Sequence, residues 1–220
     1  MRQKAHPFFQ LVAVAILLIS AGSVGAGTIV LTDDTLGGLL GGNVIQLAGP
    51  LTVDMSDGNM MAEVYSSAYT GDNGLFAYLY QINNTGTFGN SSLDTFTIFP
   101  VWGADHDSRL GTLSDLADTG GEFLVGGLDP LAEAFIEYPG TGPVVSYYYS
   151  KDQGVDIPAG AYSKVLYVLS DRGPGTITAN VIDGTTGTGS VYGPIPEPST
   201  ALSLFLGLAA LGWVRGRRLR

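Results

Sequence analysis

Between Gly27 and Pro196 the apolar positions recur at every second residue far more often than at every third or fourth. Short runs rich in β-branched and aromatic residues alternate with turn clusters, which is the pattern of strands rather than helices. Thr28–Leu31 ends at Asp33-Asp34, Asn43–Leu47 at Gly49-Pro50, and Leu51–Met55 at Asp57-Gly58-Asn59. Leu75–Ile82 alternates throughout and turns at Asn83-Asn84-Thr85-Gly86. Thr95–Phe99 places Phe96 and Ile98 on one face. Further strands are expected at Val144–Tyr149, Ser163–Leu169 and Thr176–Ile182. Only Pro130–Glu137 admits a helix, with Asp129 as cap and Pro130 in the first turn; a strand is the equal alternative. The pattern predicts an all-β fold, an antiparallel β-sandwich of roughly eight to ten strands, jelly-roll or immunoglobulin-like. Gly37–Gly42 reads as a permissive turn, and the Gly/Thr-rich stretch 184–195 as a flexible linker following a sandwich domain over 27–183.

Two apolar runs stand outside this pattern. Arg2 and Lys4 precede the run Phe8–Ile19, and small residues lead to Val24-Gly25-Ala26. That order is a secretory signal peptide over 1–26, cleaved after Ala26 and handled by the secretory translocon. An uncleaved anchor is the alternative, although the run is short for a span. At the other end, Ala201–Val214 is apolar and is followed by Arg215, Arg217, Arg218 and Arg220. Fourteen helical residues reach roughly 21 Å, short of the ~30 Å hydrocarbon core. The arginines would stay on the cytoplasmic side. A short hydrophobic helix with a cationic stop holds a precursor in the inner membrane without anchoring it permanently.

Composition sharpens the picture. Charged residues are 14% of the 220 and glycines number 32, without a Gly-X-Y period, so neither a collagen nor a helical protein is expected. The net charge of −10 is an average. Excluding the two cationic ends, four basic and nineteen acidic side chains remain, a balance of −15. Such a surface repels phosphate backbones, which argues against nucleic acid as a partner. There is no cysteine, hence neither disulfide nor thiolate chemistry.

Pro196-Glu197-Pro198, the short Gly/Leu/Ala-rich helix and the terminal arginines together resemble the PEP-CTERM sorting signal of Gram-negative bacteria. The resemblance covers 196–220 in the right order and at the very end of the chain. It implies that Pro196, Glu197 and Pro198 are the motif read by exosortase, a membrane enzyme of cysteine-protease type. It further implies export alongside exopolysaccharide, to the cell surface, the outer membrane or the extracellular matrix. The strand Tyr78–Thr85 and the stretch Gly154–Ser163, with Ser170-Asp171-Arg172-Gly173-Pro174, are similar to the extracellular part of many such proteins. Those domains have no assigned activity.

The chain offers little catalytic chemistry. Asp105-His106-Asp107 alternates across an extended segment, has no second histidine after signal removal, and reads as a solvated loop. Ser108 and Ser114 lie near His106 without a Gly-x-Ser-x-Gly elbow. No cofactor is expected; Asp54, Asp57 and Asn59, or Asp105 and Asp107, are the oxygen donors for a structural calcium should one bind. Tyr147-Tyr148-Tyr149, with Tyr65, Tyr69, Tyr78 and Tyr80, supply flat amphipathic faces, and Tyr147 and Tyr149 share one of them. Three readings follow: a non-enzymatic surface or matrix protein, a carbohydrate-binding module or adhesin using exposed tyrosines such as Tyr147 and Tyr149, and a hydrolase with paired carboxylates that no spacing singles out.

Overall fold

A computed structural model describes residues 27–58, 60–86, 92–101, 109–131, 133–137, 142–150 and 153–196. The signal peptide expected over 1–26 with its cleavage at Ala26, and the tail with Glu197, Pro198, Arg215, Arg217, Arg218 and Arg220, lie outside the described residues, as do Asn59 and the segment holding Asp105, His106, Asp107 and Ser108. Among the described residues no helix is long and apolar enough to cross a membrane.

Twelve strands are described: β1 (Gly27–Val30), β2 (Thr32–Thr35), β3 (Ile45–Asp54), β4 (Ala62–Thr70), β5 (Phe76–Asn84), β6 (Thr95–Phe99), β7 (Leu110–Asp115), β8 (Glu133–Glu137), β9 (Val144–Tyr148), β10 (Leu166–Ser170), β11 (Pro174–Asp183) and β12 (Thr185–Pro194). They form two six-stranded sheets, ordered β1-β8-β9-β6-β11-β12 and β2-β7-β10-β5-β4-β3. The main core lies between them. It includes Val64, Tyr78, Tyr80, Ile82, Leu166 and Val168 from the second sheet, facing Phe96, Ile98, Ile136, Val145, Tyr147, Val181 and Val191 from the first.

The sheets differ in what covers their outer faces. On the first, β6, β8 and β9 alternate buried and accessible side chains without interruption, because only one face is packed. The second is buried on both. A five-residue helix, α1 (Leu36–Leu40), and the segment around Phe123 cover Tyr69, Ala77, Leu79, Val165 and Tyr167. Strand β10 is therefore buried at all five positions, and its sequence Leu-Tyr-Val-Leu-Ser does not alternate.

Four expectations change. The antiparallel prediction fails at one edge: the chain switches sheets at Leu31, and β2 lies parallel to β7. The turn expected at 37–42 contains α1. Leu36, Leu39 and Leu40 bury one helical face, the Thr35 hydroxyl accepts from Gly38 N–H, and Gly41 ends the helix with φ 76°. The two strands divided at Gly49-Pro50 are one, β3, an edge strand that continues past Pro50 through bulges. The helix-or-strand segment before Tyr138 is a strand, β8.

The largest correction concerns 184–195. The linker is β12, paired residue for residue with β11 from Pro174↔Pro194 to Asp183↔Thr185. Its glycines are core-facing positions. A Cβ on Gly187 would overlap the Met55 carbonyl oxygen, and one on Gly193 the Ile177 side chain. Gly187, Val191 and Gly193 are buried, while Thr186, Thr188 and Ser190 are exposed. The stretch thus has the period of a strand, with Gly187 where Met55 from beyond β3 approaches too closely for any side chain and Gly193 where Ile177 of the neighbouring β11 fills the space.

Candidate functional site

Tyr147 and Tyr149 are not available to a sugar. They are 0% and 2% exposed, and Tyr147 sits between Ala134 and Phe96 in the core, its hydroxyl donating to Tyr167 O at 2.7 Å. Tyr69, Tyr78 and Tyr80 are also buried. The Tyr78 and Tyr80 hydroxyls donate to Arg172 O and Tyr192 O at 2.6 and 2.7 Å. Desolvation pushes the hydroxyl pKa of Tyr80 and Tyr147 far above the ordinary phenol range, and those of Tyr69, Tyr78, Tyr149 and Tyr167 well above it. Alternation fixes this arrangement: if Tyr147 and Tyr149 fill the core, Tyr148 must face outward.

The outward face of the first sheet is largely polar. Register aligns Thr28, Phe135, Ser146, Thr97, Asn180 and Thr188 in one row across all six strands. At about 4.8 Å per strand the row is roughly 24 Å long. Thr97 and Ser146 share a 3.0 Å hydroxyl–hydroxyl bond, and the side-chain Oδ1 of Asn180, mid-row, is buried and has no hydrogen-bond partner among the described residues. A second row aligns Tyr148, Thr95, Ile182 and Thr186. Phe135, 40% exposed, meets the Tyr148 ring edge-on at 5.1 Å and 77°. Neither row contains Lys or Arg, and Glu133, opposite Val30, and Glu137 flank Phe135 on the same face of β8. The sequence contained this face as alternating Thr, Ser and Asn on β6, β9, β11 and β12. Reading 184–195 as a linker hid its sixth strand.

The opposite sheet carries the principal charge cluster. Lys164 Nζ lies 2.9 Å from Asp129 Oδ1 and 3.8 Å from Asp33 Oδ2, and Thr112 Oγ1 donates to Asp33 Oδ1 at 3.0 Å. These groups border a hollow of about 360 Å³. A more apolar one of about 590 Å³, lined by Leu113, Leu116, Phe123, Val125 and Val165, lies on the other side of Lys164. Hydrogen bonding to Asp129 raises the Lys164 pKa, so the amine stays protonated. Lys164 thus forms an ion-pair clamp joining β2 to the segment before β8.

Beside it the Asp34 carboxylate accepts from Thr32 Oγ1 and Tyr167 OH, both at 2.6 Å. These bonds, Thr32 first, hold its pKa below the ordinary value. A carboxyl depressed in the fold stabilises it above the unfolded value of about 3.9, and that contribution disappears as pH falls through the folded pKa. Asp34→Asn is expected to cost about 1 kcal/mol at neutral pH, a charge-assisted bond discounted for solvent screening. Urea unfolding should show the two proteins converging as pH falls below the unfolded carboxyl value. Equal stability at neutral pH, or a gap that persists in acid, would contradict this.

Of the calcium donors, Asp54 is engaged with its own turn, accepting from Ser56 N–H at 2.9 Å. Bonds from the Ser56 side chain and backbone lower its pKa. Asp57 pairs with Met60 in a small bridge. Among the described residues no group of three or more acidic or histidine side chains is placed to hold a metal ion.

Of the expected sorting motif Pro196-Glu197-Pro198, Pro196 is described and exposed. The fold grips the chain up to the residue before it: Ile195 N–H donates to Gly173 O at 3.2 Å, and the Ile195 side chain occupies the space a Cβ on Gly175 would need. Comparison with protein-family models, curated proteins and solved structures finds no match to this chain.

Proposed function

We propose that this chain is a non-enzymatic, exported surface or matrix protein, matured by exosortase at its C-terminal signal and deposited with exopolysaccharide by a Gram-negative cell. The translocon passes the domain outward, and the short apolar helix with Arg215, Arg217, Arg218 and Arg220 holds the precursor in the inner membrane. Cleavage in or near Pro196-Glu197-Pro198 then frees the sandwich for the outer membrane or the matrix. The observation that carries this reading is the tripartite sequence from Pro196 to Arg220. The exposed Pro196, directly after the last gripped residue, agrees with it: a cut there separates the signal without taking any strand from the domain.

For the sandwich we favour a jelly-roll-like order over an immunoglobulin-like one. The consecutive pairs β5–β6, β6–β7, β7–β8, β9–β10 and β10–β11 each pass from one sheet to the other, whereas immunoglobulin sandwiches keep more neighbours in one sheet.

The test replaces Pro196, Glu197 and Pro198 together by alanine in a host that carries the sorting enzyme. The variant is expected to accumulate in the inner-membrane fraction with its arginine tail, while the unaltered chain leaves that fraction. A variant that is shortened and released like the unaltered chain would overturn the assignment of the motif.

A further inference from the structure

We infer that the outer face of the first sheet binds a neutral polysaccharide chain laid across its strands. The inference names a partner class for the matrix protein proposed above but does not rest on the sorting signal, since the face is complete within residues 28–190. Three observations lead to it. The row Thr28–Phe135–Ser146–Thr97–Asn180–Thr188 carries hydroxyls on four strands and the Asn180 amide, whose Oδ1 is buried, on a fifth, and sugar hydroxyls need such mixed donors and acceptors. Phe135 and Tyr148 form an accessible aromatic step at one end of the row, against which the C–H face of a sugar ring packs. Charge then selects the occupant. The two rows carry no cationic side chain, Glu133 and Glu137 stand on the same face beside Phe135, and the region between the cationic ends has a balance of −15, so a polyanion is repelled. A neutral glycan meets no such penalty.

The large apolar side chains of this face more than about a third exposed, Val30 and Phe135, stand on the two strands at one edge, and Thr97, Ser146 and Asn180 occupy its middle, whereas protein interfaces carry an apolar centre.

The experiment is affinity electrophoresis of the full-length chain in a polyoxyethylene detergent, which has no sugar headgroup to compete. The gels contain soluble neutral glucan, galactan or mannan in turn, with alginate as the polyanionic arm. Retardation by at least one neutral polysaccharide is expected, and it should persist as salt is raised. Tyr148→Thr and Phe135→Thr, which suit a strand, should each weaken binding about tenfold. Thr97→Val should weaken it by a smaller factor, with an unchanged circular dichroism spectrum for all three. No retardation by any neutral polysaccharide, binding to alginate alone, or retardation that neither aromatic substitution alters would each overturn the inference. So would sedimentation showing that Phe135→Thr dissolves a dimer, because the face would then be covered by a second copy.

Discussion

Above about pH 10 the domain is expected to lose its fold over a narrow interval, with tyrosine ionisation and unfolding occurring together. An unfolded tyrosine titrates near 10, while burial holds the hydroxyls of Tyr69, Tyr78, Tyr80, Tyr147, Tyr149 and Tyr167 above that value. The folded pKa is raised, so the contribution is intact below the unfolded pKa and declines as pH rises beyond it. Each tyrosine that ionises only on unfolding costs about 1.4 kcal/mol per pH unit. Tyr80, Tyr147 and Tyr149, the most enclosed, together give roughly 4 kcal/mol per unit, and all six would give roughly 8. Domain stabilities of about 5–15 kcal/mol are exhausted within one or a few units at such slopes. A pH titration followed by near-ultraviolet tyrosinate absorbance and far-ultraviolet circular dichroism should show one shared transition for the buried tyrosines. Smooth ionisation of all 11 tyrosines near pH 10 with the sheet signal intact would contradict the burial described here.

Ending the chain at Asp183 should abolish folding, whereas ending it at Ile195 should preserve it. Loss of β12 removes a ten-pair ladder and the core residue Val191. It also removes Tyr192 O, the acceptor of the Tyr80 hydroxyl, and Tyr192 N–H, the partner of Ser66 Oγ. A buried polar group left without a partner costs about 1–3 kcal/mol, and the exposed core and the bare edge of β11 add to that. The total approaches the stability of a typical domain. Gly187→Ala is the finer probe. The new methyl meets the Met55 carbonyl, a backbone atom that cannot swing aside, and the cost should be about 3 kcal/mol. Circular dichroism and urea unfolding measure both. A flexible linker would tolerate truncation and substitution alike, so native-like unfolding of the Asp183-terminated chain would return 184–195 to that status.

These two predictions also mark what was legible in the sequence. Strands β6, β9 and β11 could be read directly, because their sheet packs on one side and the pattern alternates as the pleat requires. The all-β class and much of the core followed from them. In the second sheet both faces are buried, so β10 reads as a continuous apolar run from which no register can be taken. α1 left a signal at Leu36, Leu39 and Leu40, obscured by the glycines between them. β12 was missed for a different reason. Glycine and threonine in alternation have the composition of a linker, and only the proximity of Met55 and Ile177 shows that its glycines are inward-facing positions. The same omission distorted the candidate site. Tyr147 and Tyr149, the tyrosines of the sugar-binding alternative, fill the core, while the outward Tyr148 meets Phe135, whose place beside it and beside the Thr97–Asn180 row depends on a register that the sequence pattern does not supply.

The apolar content of 45% belongs partly to two segments that an exported, processed product would lack. The intact mass of the native protein, recovered from the cell surface or medium of its own host, tests the proposed route most directly. The expected mass is that of a chain beginning near Gly27 and ending in or near Pro196-Glu197-Pro198, with every strand from β1 to β12 retained. A mass that includes Arg220 on the exported protein would contradict it.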